Sequence, residues 1–140
     1  MISKDRQKII NEARTYLGTP FHHQGRLKGI GIDCIGLIVN VGKSLNLMSH
    51  DNTCYSRRPD GVTLMAELRK CLIEKDINDI QPGDIVVYWI VNPDKPVHVG
   101  IITDYGFIHT YADVGRVVEH RLTRAWQKRI YAVFSYSKVK

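Results

Sequence analysis

The spacing of apolar residues changes once along the chain, and this change constrains the fold more than any other feature. Before residue 76, apolar side chains recur every three or four positions, as Leu64, Leu68 and Leu72 do, which is typical of amphipathic helices. After the turn QPGD (residues 81–84), short apolar runs are separated by turn residues, which is typical of β-strands. Helices followed by an antiparallel meander indicate the α+β class.

These patterns predict where the helices and strands lie. Helices are predicted over residues 4–17, capped by Ser3, and over 34–47 and 62–75, with a helical turn over 123–128. A Gly-rich loop (21–33) and an irregular segment (48–60) flank the second helix, and strands are predicted over 85–90, 97–103, 107–111, 116–121 and 130–136. We expect one domain over residues 1–140, with N-terminal helices packed on an antiparallel sheet of about five or six strands.

Charge and hydropathy limit the partners of such a domain. Lysine and arginine outnumber acidic residues by 20 to 14, and the net charge of +6 favours anionic partners such as nucleic acid or a bacterial cell wall. No nucleic-acid-binding motif is present, so we expect no nucleic-acid partner. Because the chain has neither the ~20-residue apolar run of a membrane span nor a signal-peptide pattern at MISKDRQKII, we expect a protein made in the cytoplasm.

Cys34 is the cysteine whose position suggests chemistry. The three cysteines, Cys34, Cys54 and Cys71, form no CxxC pair, and their odd number argues against a disulfide framework. Cys34 follows Asp33 and opens an apolar helix, where the helix dipole and unpaired N–H groups favour the thiolate and lower the thiol pKa. Position alone leaves two interpretations, a nucleophile or a buried structural cysteine.

Two histidines on neighbouring predicted strands are candidate partners of Cys34. His98 begins the strand HVGIIT, next to a glycine that leaves space for a helix end to approach. His109 lies on the next strand of the hairpin, within reach of His98, and can hydrogen-bond it and fix its tautomer. The alternatives are a polar residue at a strand edge for His98 and a solvated histidine for His109.

The remaining histidines and cysteines carry weaker expectations. His22 and His23 lie in the loop before Cys34 and can line a cleft, whereas His50 and His120 are interpreted as surface residues. Cys71 is predicted in the core, and Cys54 in an exposed loop. A zinc site formed by Cys34, His98 and His109 lacks a short-range ligand pair, so we expect no metal and no cofactor.

The motifs DCIGL (33–37), HVGI (98–101) and FIH (107–109) together resemble the NlpC/P60 cysteine peptidases, papain-like enzymes of bacterial cell-wall turnover. Five flanking segments are similar to the phage and prophage branch of that family: LGTPF (17–21), HQGR (23–26), YSRRPDG (55–61), QPGD (81–84) and GRVVEHR (115–121). The resemblance covers nearly the whole chain in the same order. It implies a papain-like fold and peptidoglycan as the partner.

The resemblance also implies a role for each site residue. Cys34 would be the nucleophile, His98 the general base and His109 the orienting residue, with Cys34 and His98 resting as a thiolate–imidazolium pair. The bond cleaved would lie in a peptide stem of peptidoglycan, often between D-γ-glutamate and diaminopimelate. Where many members carry YGG, this chain has His23-Gln24-Gly25, so His23, Gln24 and Asp33 are candidates for substrate binding and the oxyanion site.

Other functions remain open on the same scaffold. One is a phage tail assembly protein without hydrolytic activity, although such a protein has no need of Cys34, His98 and His109 together. Another is an amidase or acyltransferase, because the same triad supports several acyl-transfer reactions. The expected setting is a phage or prophage particle that carries the protein to the cell wall, with other tail proteins as further partners.

Overall fold

The computed structural model describes residues 1–51, 60–137 and 139. Its helices are α1 (Lys4–Arg14), α2 (Cys34–Ser44), α3 (Val62–Cys71) and α4 (Arg124–Gln127), with a 3₁₀ turn at Ile77–Asp79. Its strands are β1 (Arg26–Leu27), β2 (Gly31–Ile32), β3 (Leu72–Lys75), β4 (Ile85–Trp89), β5 (Pro96–Ile102), β6 (Phe107–His109), β7 (Val118–His120) and β8 (Ile130–Tyr136). Cys54 and residues 55–59 of the YSRRPDG motif lie outside the described residues.

Six of the strands in the described part of the chain form one antiparallel sheet in the order β3-β8-β4-β5-β6-β7. The predicted α+β class and the antiparallel sheet are therefore confirmed. Strands β4, β5, β6 and β7 follow the chain from one neighbour to the next, as hairpin connections favour. Strand β8 returns to lie between β3 and β4, so β3 and β7 are the two edge strands of the sheet.

The first three helices cover one face of this sheet. Helix α1 begins after Ser3, whose side chain accepts a hydrogen bond from the N–H of Arg6 at 3.3 Å, as the sequence predicted. The helix ends at Arg14, three residues before the predicted end. Its Ile9 and Ala13 join a core with apolar side chains of α2, α3 and the sheet. In the described part of the chain, no helix combines the length and apolar content that crossing a bilayer requires.

The sequence prediction was wrong at residues 72–75 and incomplete in the Gly-rich loop. Residues 72–75 form β3 instead of the end of a helix, because their backbone pairs with β8, where Leu72 lies opposite Tyr136. This partner is more than 60 residues away, so local spacing did not reveal it. The loop over residues 21–33 contains the two-residue strands β1 and β2, paired as a small hairpin.

A buried carboxylate fixes the turn between β3 and β4. Asp84 is fully buried and accepts hydrogen bonds from Arg6 at 2.8 Å, from Lys75 at 2.7 Å and from the N–H of Gln81 at 2.9 Å. Both cationic partners are themselves largely buried, so the carboxylate is paired on two sides. The QPGD motif therefore ties helix α1 to the sheet, away from the candidate site described below.

The other face of the sheet carries a second, smaller apolar cluster. Its buried members are Val86, Tyr88, Ile102 and Phe107. The side chains that cover them come from α4 and its flanks, among them Leu122, Trp126 and Ile130. Because side chains alternate along a strand, this face also receives His98, which is two residues before Gly100 and four before Ile102.

Candidate active site

Helix α2 places Cys34 at its first residue. The preceding Asp33 caps the helix, because its Oδ1 atom accepts a hydrogen bond from the N–H of Gly36 at 2.8 Å. The first N–H groups of a helix have no partner within it, so Cys34 lies among backbone donors, of which that of Ile35 is bound to its sulfur. Its side chain is partly exposed and lines a cavity of about 430 Å³.

Asp33 also holds the Gly-rich loop against the start of α2. Its second carboxylate oxygen accepts a hydrogen bond from the N–H of Gln24 at 2.8 Å, and the Arg26 guanidinium binds Oδ1 at 3.0 Å. Arg26 extends this network to Asp51 at 3.2 Å. Gly36 permits the close approach, because a Cβ there would collide with the carbonyl oxygen of Gly25. The position of Cys34 is thus fixed by charged groups of its own neighbourhood.

His98 and His109 meet on the face of the sheet that α4 covers, opposite α1, α2 and α3. Strands β5 and β6 pair Ile101 with Ile108, so His109 lies diagonally across from His98. Their rings are joined by a hydrogen bond of 2.8 Å between His98 Nε2 and His109 Nδ1. Gly100 leaves the space that this contact needs, since a Cβ there would approach the His109 Cβ to 3.3 Å.

The structure adds His120 to these two rings. Strand β7 pairs His120 with Phe107, so His120 lies diagonally across from His109 on the same face. A contact of 3.0 Å joins His109 Nε2 to His120 Nδ1. The interpretation of His120 as a plain surface residue was wrong, because its ring is half-buried and hydrogen-bonded to the buried His109.

Aromatic side chains enclose the histidines. The Trp126 ring lies 5.2 Å from His109 and 6.2 Å from His98, between ring centroids, and Tyr111 lies 5.5 Å from His98. Tyr88 stacks on His98 at 6.1 Å. His98 is 4% exposed and His109 is fully buried. Water therefore has little access to the bond between the two rings.

Cys34 and His98 approach each other near the start of strand β5. Both line the same cavity, and the N–H of Val99, the residue after His98, donates a hydrogen bond to the Cys34 sulfur. Because Nε2 of His98 is bound to His109, Nδ1 is the ring nitrogen that remains for the thiol. No hydrogen bond joins the sulfur and the His98 ring in the described structure. The Cys34 sulfur is therefore held at the backbone of Val99, the residue next to the His98 imidazole.

Burial controls the protonation of the pair. It raises the pKa of the Cys34 thiol to about 12, helped by the Asp33 carboxylate, and outweighs the opposing N–H groups of Val99 and Ile35. Burial also lowers the pKa of His98 to about 4. The raised pKa of Cys34 is opposite to the lowered thiol pKa that the helix N-terminus predicts. Together the two shifts disfavour the thiolate–imidazolium pair that the sequence predicted. Thiol and imidazole therefore rest in their neutral forms.

The model of the NlpC/P60 family matches residues 18–135 of the chain. This protein belongs to the NlpC/P60 family. No curated protein matches the sequence. The family assignment agrees with the resemblance seen in the motifs around Cys34, His98 and His109. A match to the phage and prophage branch is not among these findings.

Solved structures of NlpC/P60 proteins share the fold. An NlpC/P60 family protein from Bacillus cereus superposes with a TM-score of 0.71 at 21% identity, over 94% of this chain and 40% of that one. NlpC2 from Trichomonas vaginalis gives 0.71 at 21% identity, over 97% of this chain and 48% of that one. The NlpC/p60 domain of the peptidoglycan hydrolase SagA gives 0.65 at 20% identity, over 93% and 97%. This confirms the NlpC/P60 fold, and the chain spans 40% of the first matched structure.

The three residues predicted to bind substrate occupy different places in this NlpC/P60 domain. His23 lines the cavity beside Cys34. Gln24 does not line it, and its backbone N–H is bound to Asp33. Asp33 borders the cavity, but it is 4% exposed and its oxygens accept bonds from the protein itself. His23 is therefore the one of the three whose position suits contact with a ligand.

The other singled-out histidines and cysteines lie around the site. His50 lines the cavity and binds Glu67 at 2.6 Å, so it is more than a solvated surface residue. His22 contacts the carbonyl oxygen of His23 at 2.9 Å. Cys71 is partly buried against the core and donates to the carbonyl oxygen of Glu67 at 3.3 Å.

The geometry of the rings bears on the zinc alternative. The described residues contain no group of three or more His, Cys, Asp or Glu side chains placed to hold a metal ion. Nε2 of His98 and Nδ1 of His109 point at each other at hydrogen-bond distance, which is too close for an ion between them. Their arrangement suits proton transfer between side chains instead.

Proposed function

We propose that this NlpC/P60 protein is a cysteine peptidase that hydrolyses amide bonds in the peptide stems of bacterial peptidoglycan. One observation carries the proposal. Cys34, at the N-terminus of α2, shares a cavity with His98. Nε2 of His98 is hydrogen-bonded to a second, buried histidine, His109. This is the arrangement of nucleophile, base and orienting group that acyl transfer requires.

In the first step, Cys34 attacks the carbonyl carbon of the scissile amide. The thiol proton moves to Nδ1 of His98 as the S–C bond forms, because thiol and imidazole are both neutral at rest. The carbonyl oxygen takes up the displaced electron pair, and we assign the N–H of Cys34 at the start of α2 to stabilise it. His23 is the candidate for a second group at this oxygen.

In the second step, the tetrahedral intermediate collapses and the C–N bond breaks. The leaving amine takes the proton from His98, and the acyl group remains on Cys34 as a thioester. Water then attacks the thioester carbonyl, giving its proton to His98. The carboxylic acid leaves, and the proton returns from His98 to the Cys34 sulfur, which restores the site. His109 holds the His98 ring throughout by the bond to Nε2.

The substrate proposal rests on the family and on charge. The related SagA domain belongs to a peptidoglycan hydrolase. The net charge of +6 favours binding to an anionic wall, an attraction that salt weakens. Within the stem, we propose the bond between D-γ-glutamate and diaminopimelate, the linkage that the sequence resemblance implies.

Digestion of purified muropeptides of known structure tests the proposal. We expect new amino groups and, by mass spectrometry, two fragments whose masses sum to the substrate plus one water. Cys34→Ala is expected to lose this activity, and Cys71→Ala, which removes the other described thiol, is expected to keep it. Because Cys71 also borders the cavity, thermal unfolding of both variants serves as the check on folding.

The result also separates the competing functions. If the folded protein releases no amino groups from muropeptides at any salt concentration, an assembly role without hydrolysis is favoured. Products that join the stem to an added amine would indicate an acyltransferase, and loss of ammonia alone would indicate an amidase. Full activity in Cys34→Ala would contradict the assignment of the nucleophile.

The setting of the activity is a further part of the proposal. We place the protein in a phage or prophage particle, on the strength of the flanking segments such as LGTPF (17–21) and GRVVEHR (115–121). Induction of the host, purification of particles and immunodetection test this. Antibody signal that sediments with tail structures is expected, and signal confined to the cell lysate would contradict it.

A further inference from the structure

We propose that His120 is a positioning residue: by accepting a hydrogen bond from His109, it holds His98 in the tautomer that can take the Cys34 proton. The inference rests on the proposed function for its catalytic consequence. The positions of the ring protons can be measured without any substrate, so the positioning role of His120 and the proposed function can fail separately.

Three rings form one continuous chain across strands β5, β6 and β7. His98 Nε2 lies 2.8 Å from His109 Nδ1, and His109 Nε2 lies 3.0 Å from His120 Nδ1. Both nitrogens of His109 are therefore used by other histidines. His109 is fully buried, and His120 is the half-buried end of the chain.

Each of these two contacts joins nitrogen to nitrogen, so each needs one proton, carried by one of its two rings. A neutral imidazole has a single N–H, which donates, and one bare nitrogen, which accepts. If three neutral rings make both bonds, all must donate in the same direction along the chain. Only two arrangements of the protons satisfy this condition.

In the first arrangement, every ring carries its proton on Nε2. His98 then donates to His109, His109 donates to His120, and His120 accepts through Nδ1. Nδ1 of His98 is left bare, as a base for the Cys34 thiol must be. In the second arrangement, every ring carries its proton on Nδ1, and His98 has no free base to offer.

His109 cannot choose between the two arrangements by itself, because it can give its proton to either neighbour. Burial keeps His98 and His109 neutral, lowering the pKa of His98 to about 4 and that of His109 to about 2. The other rings that pack against His109 in the described part of the chain belong to Phe107, Tyr111 and Trp126. His120, at the far end of the chain, therefore decides between them: with its proton on Nε2 it offers a bare Nδ1, which accepts from Nε2 of His109 and selects the first arrangement.

Two substitutions of His120 separate positioning from simple packing. His120→Asn keeps an oxygen acceptor near the position of Nδ1, whereas His120→Leu fills similar space without any acceptor. We expect His120→Leu to lower kcat about 10- to 100-fold with KM within about twofold, because outer partners that fix a histidine tautomer have effects of this size. His120→Asn should retain activity within about threefold of the original protein.

The decisive readout is the tautomer of His98. Nitrogen-15 NMR of the histidine rings distinguishes a bare from a protonated nitrogen, in the full chain without substrate. We expect His98 with bare Nδ1 and protonated Nε2 in the original protein and in His120→Asn. In folded His120→Leu, we expect Nδ1 of His98 to become partly protonated. Thermal unfolding checks that both variants fold.

Two outcomes would overturn the inference. One is an unchanged His98 tautomer in folded His120→Leu, whatever happens to its activity. The other is an equal loss of kcat in His120→Asn and His120→Leu, which would indicate packing alone. If the original protein cleaves no muropeptide but the tautomer shifts as described, the proposed function fails while the positioning role of His120 stands.

Discussion

The two sides of the candidate site are held by different forces. The cysteine side consists of Cys34 with the carboxylate and guanidinium of Asp33 and Arg26. The histidine side consists of His98, His109 and His120, joined ring to ring among aromatic side chains. Charged groups close in sequence fix the first side, and neutral groups from three strands fix the second.

This difference separates the groups that fix the position of the Cys34 sulfur from the groups that can accept its proton. Fixed charges around Cys34 set where the sulfur lies, and their network is complete before any substrate binds. In the mechanism that we propose, the proton of Cys34 is received on the other side, where both buried rings rest uncharged. In this mechanism the positive charge on His98 would be short-lived, because burial disfavours the charged ring and so favours transfer of its proton to the leaving amine.

The largest effect is expected from breaking the cysteine side. Asp33→Ala removes the cap of α2 and leaves the N–H of Gln24 and one side of the Arg26 guanidinium without their buried acceptor. We expect a loss of about 3 kcal/mol in the free energy of unfolding, measured by urea denaturation.

Ser3→Ala is the matched control, because Ser3 caps α1 through a bond of 3.3 Å from Arg6 N–H. Its expected loss is about 0.5–1 kcal/mol. If Asp33→Ala costs no more than Ser3→Ala, Asp33 does not hold the loop and the helix together as described.

A smaller effect is expected from acid on the histidine side. A histidine in the unfolded chain titrates with its ordinary pKa of about 6.5, whereas the pKa values of His98 and His109 in the folded protein are about 4 and about 2. Below about pH 6.5 the unfolded chain binds protons that the folded protein does not, so stability falls as pH falls. The two rings together should contribute a slope of about 2 kcal/mol per pH unit between about pH 6 and pH 5.

His109→Leu tests which rings produce this slope. The substitution removes one of the two buried histidines, so the acid slope of the unfolding free energy should fall by about half. Urea denaturation at several pH values, on both proteins, measures it. An identical slope in the two proteins would mean that His109 is not held neutral by burial.

Local patterns in the sequence predicted much of this site. Helix α2 begins at Cys34 as predicted, because Asp33 and the Gly-rich loop before it are local signals. Strands β4 and β5 lie within one residue of their predicted starts and ends, since alternation and turns are also local. Strand β3 was missed because its pairing with β8 depends on residues at the other end of the chain.

The misses at the site itself have the same physical origin. His120 was overlooked because the sequence of β6 or of β7 alone does not determine the register in which the two strands pair. Its one signal was spacing, since His98, His109 and His120 are separated by equal steps of eleven residues. The raised pKa of Cys34 was missed because burial depends on the whole fold, whereas the helix N-terminus is visible locally.

Alkylation of Cys34 tests the central claim most directly. Samples treated with iodoacetamide are divided, and the fraction of alkylated Cys34, from peptide mapping, is compared with the remaining release of amino groups from muropeptides. The account predicts that activity falls in proportion to alkylated Cys34, and that alkylation accelerates about 10-fold per pH unit between about pH 7 and pH 9, because the resting thiol is protonated. Activity that survives complete alkylation of Cys34 would contradict the account.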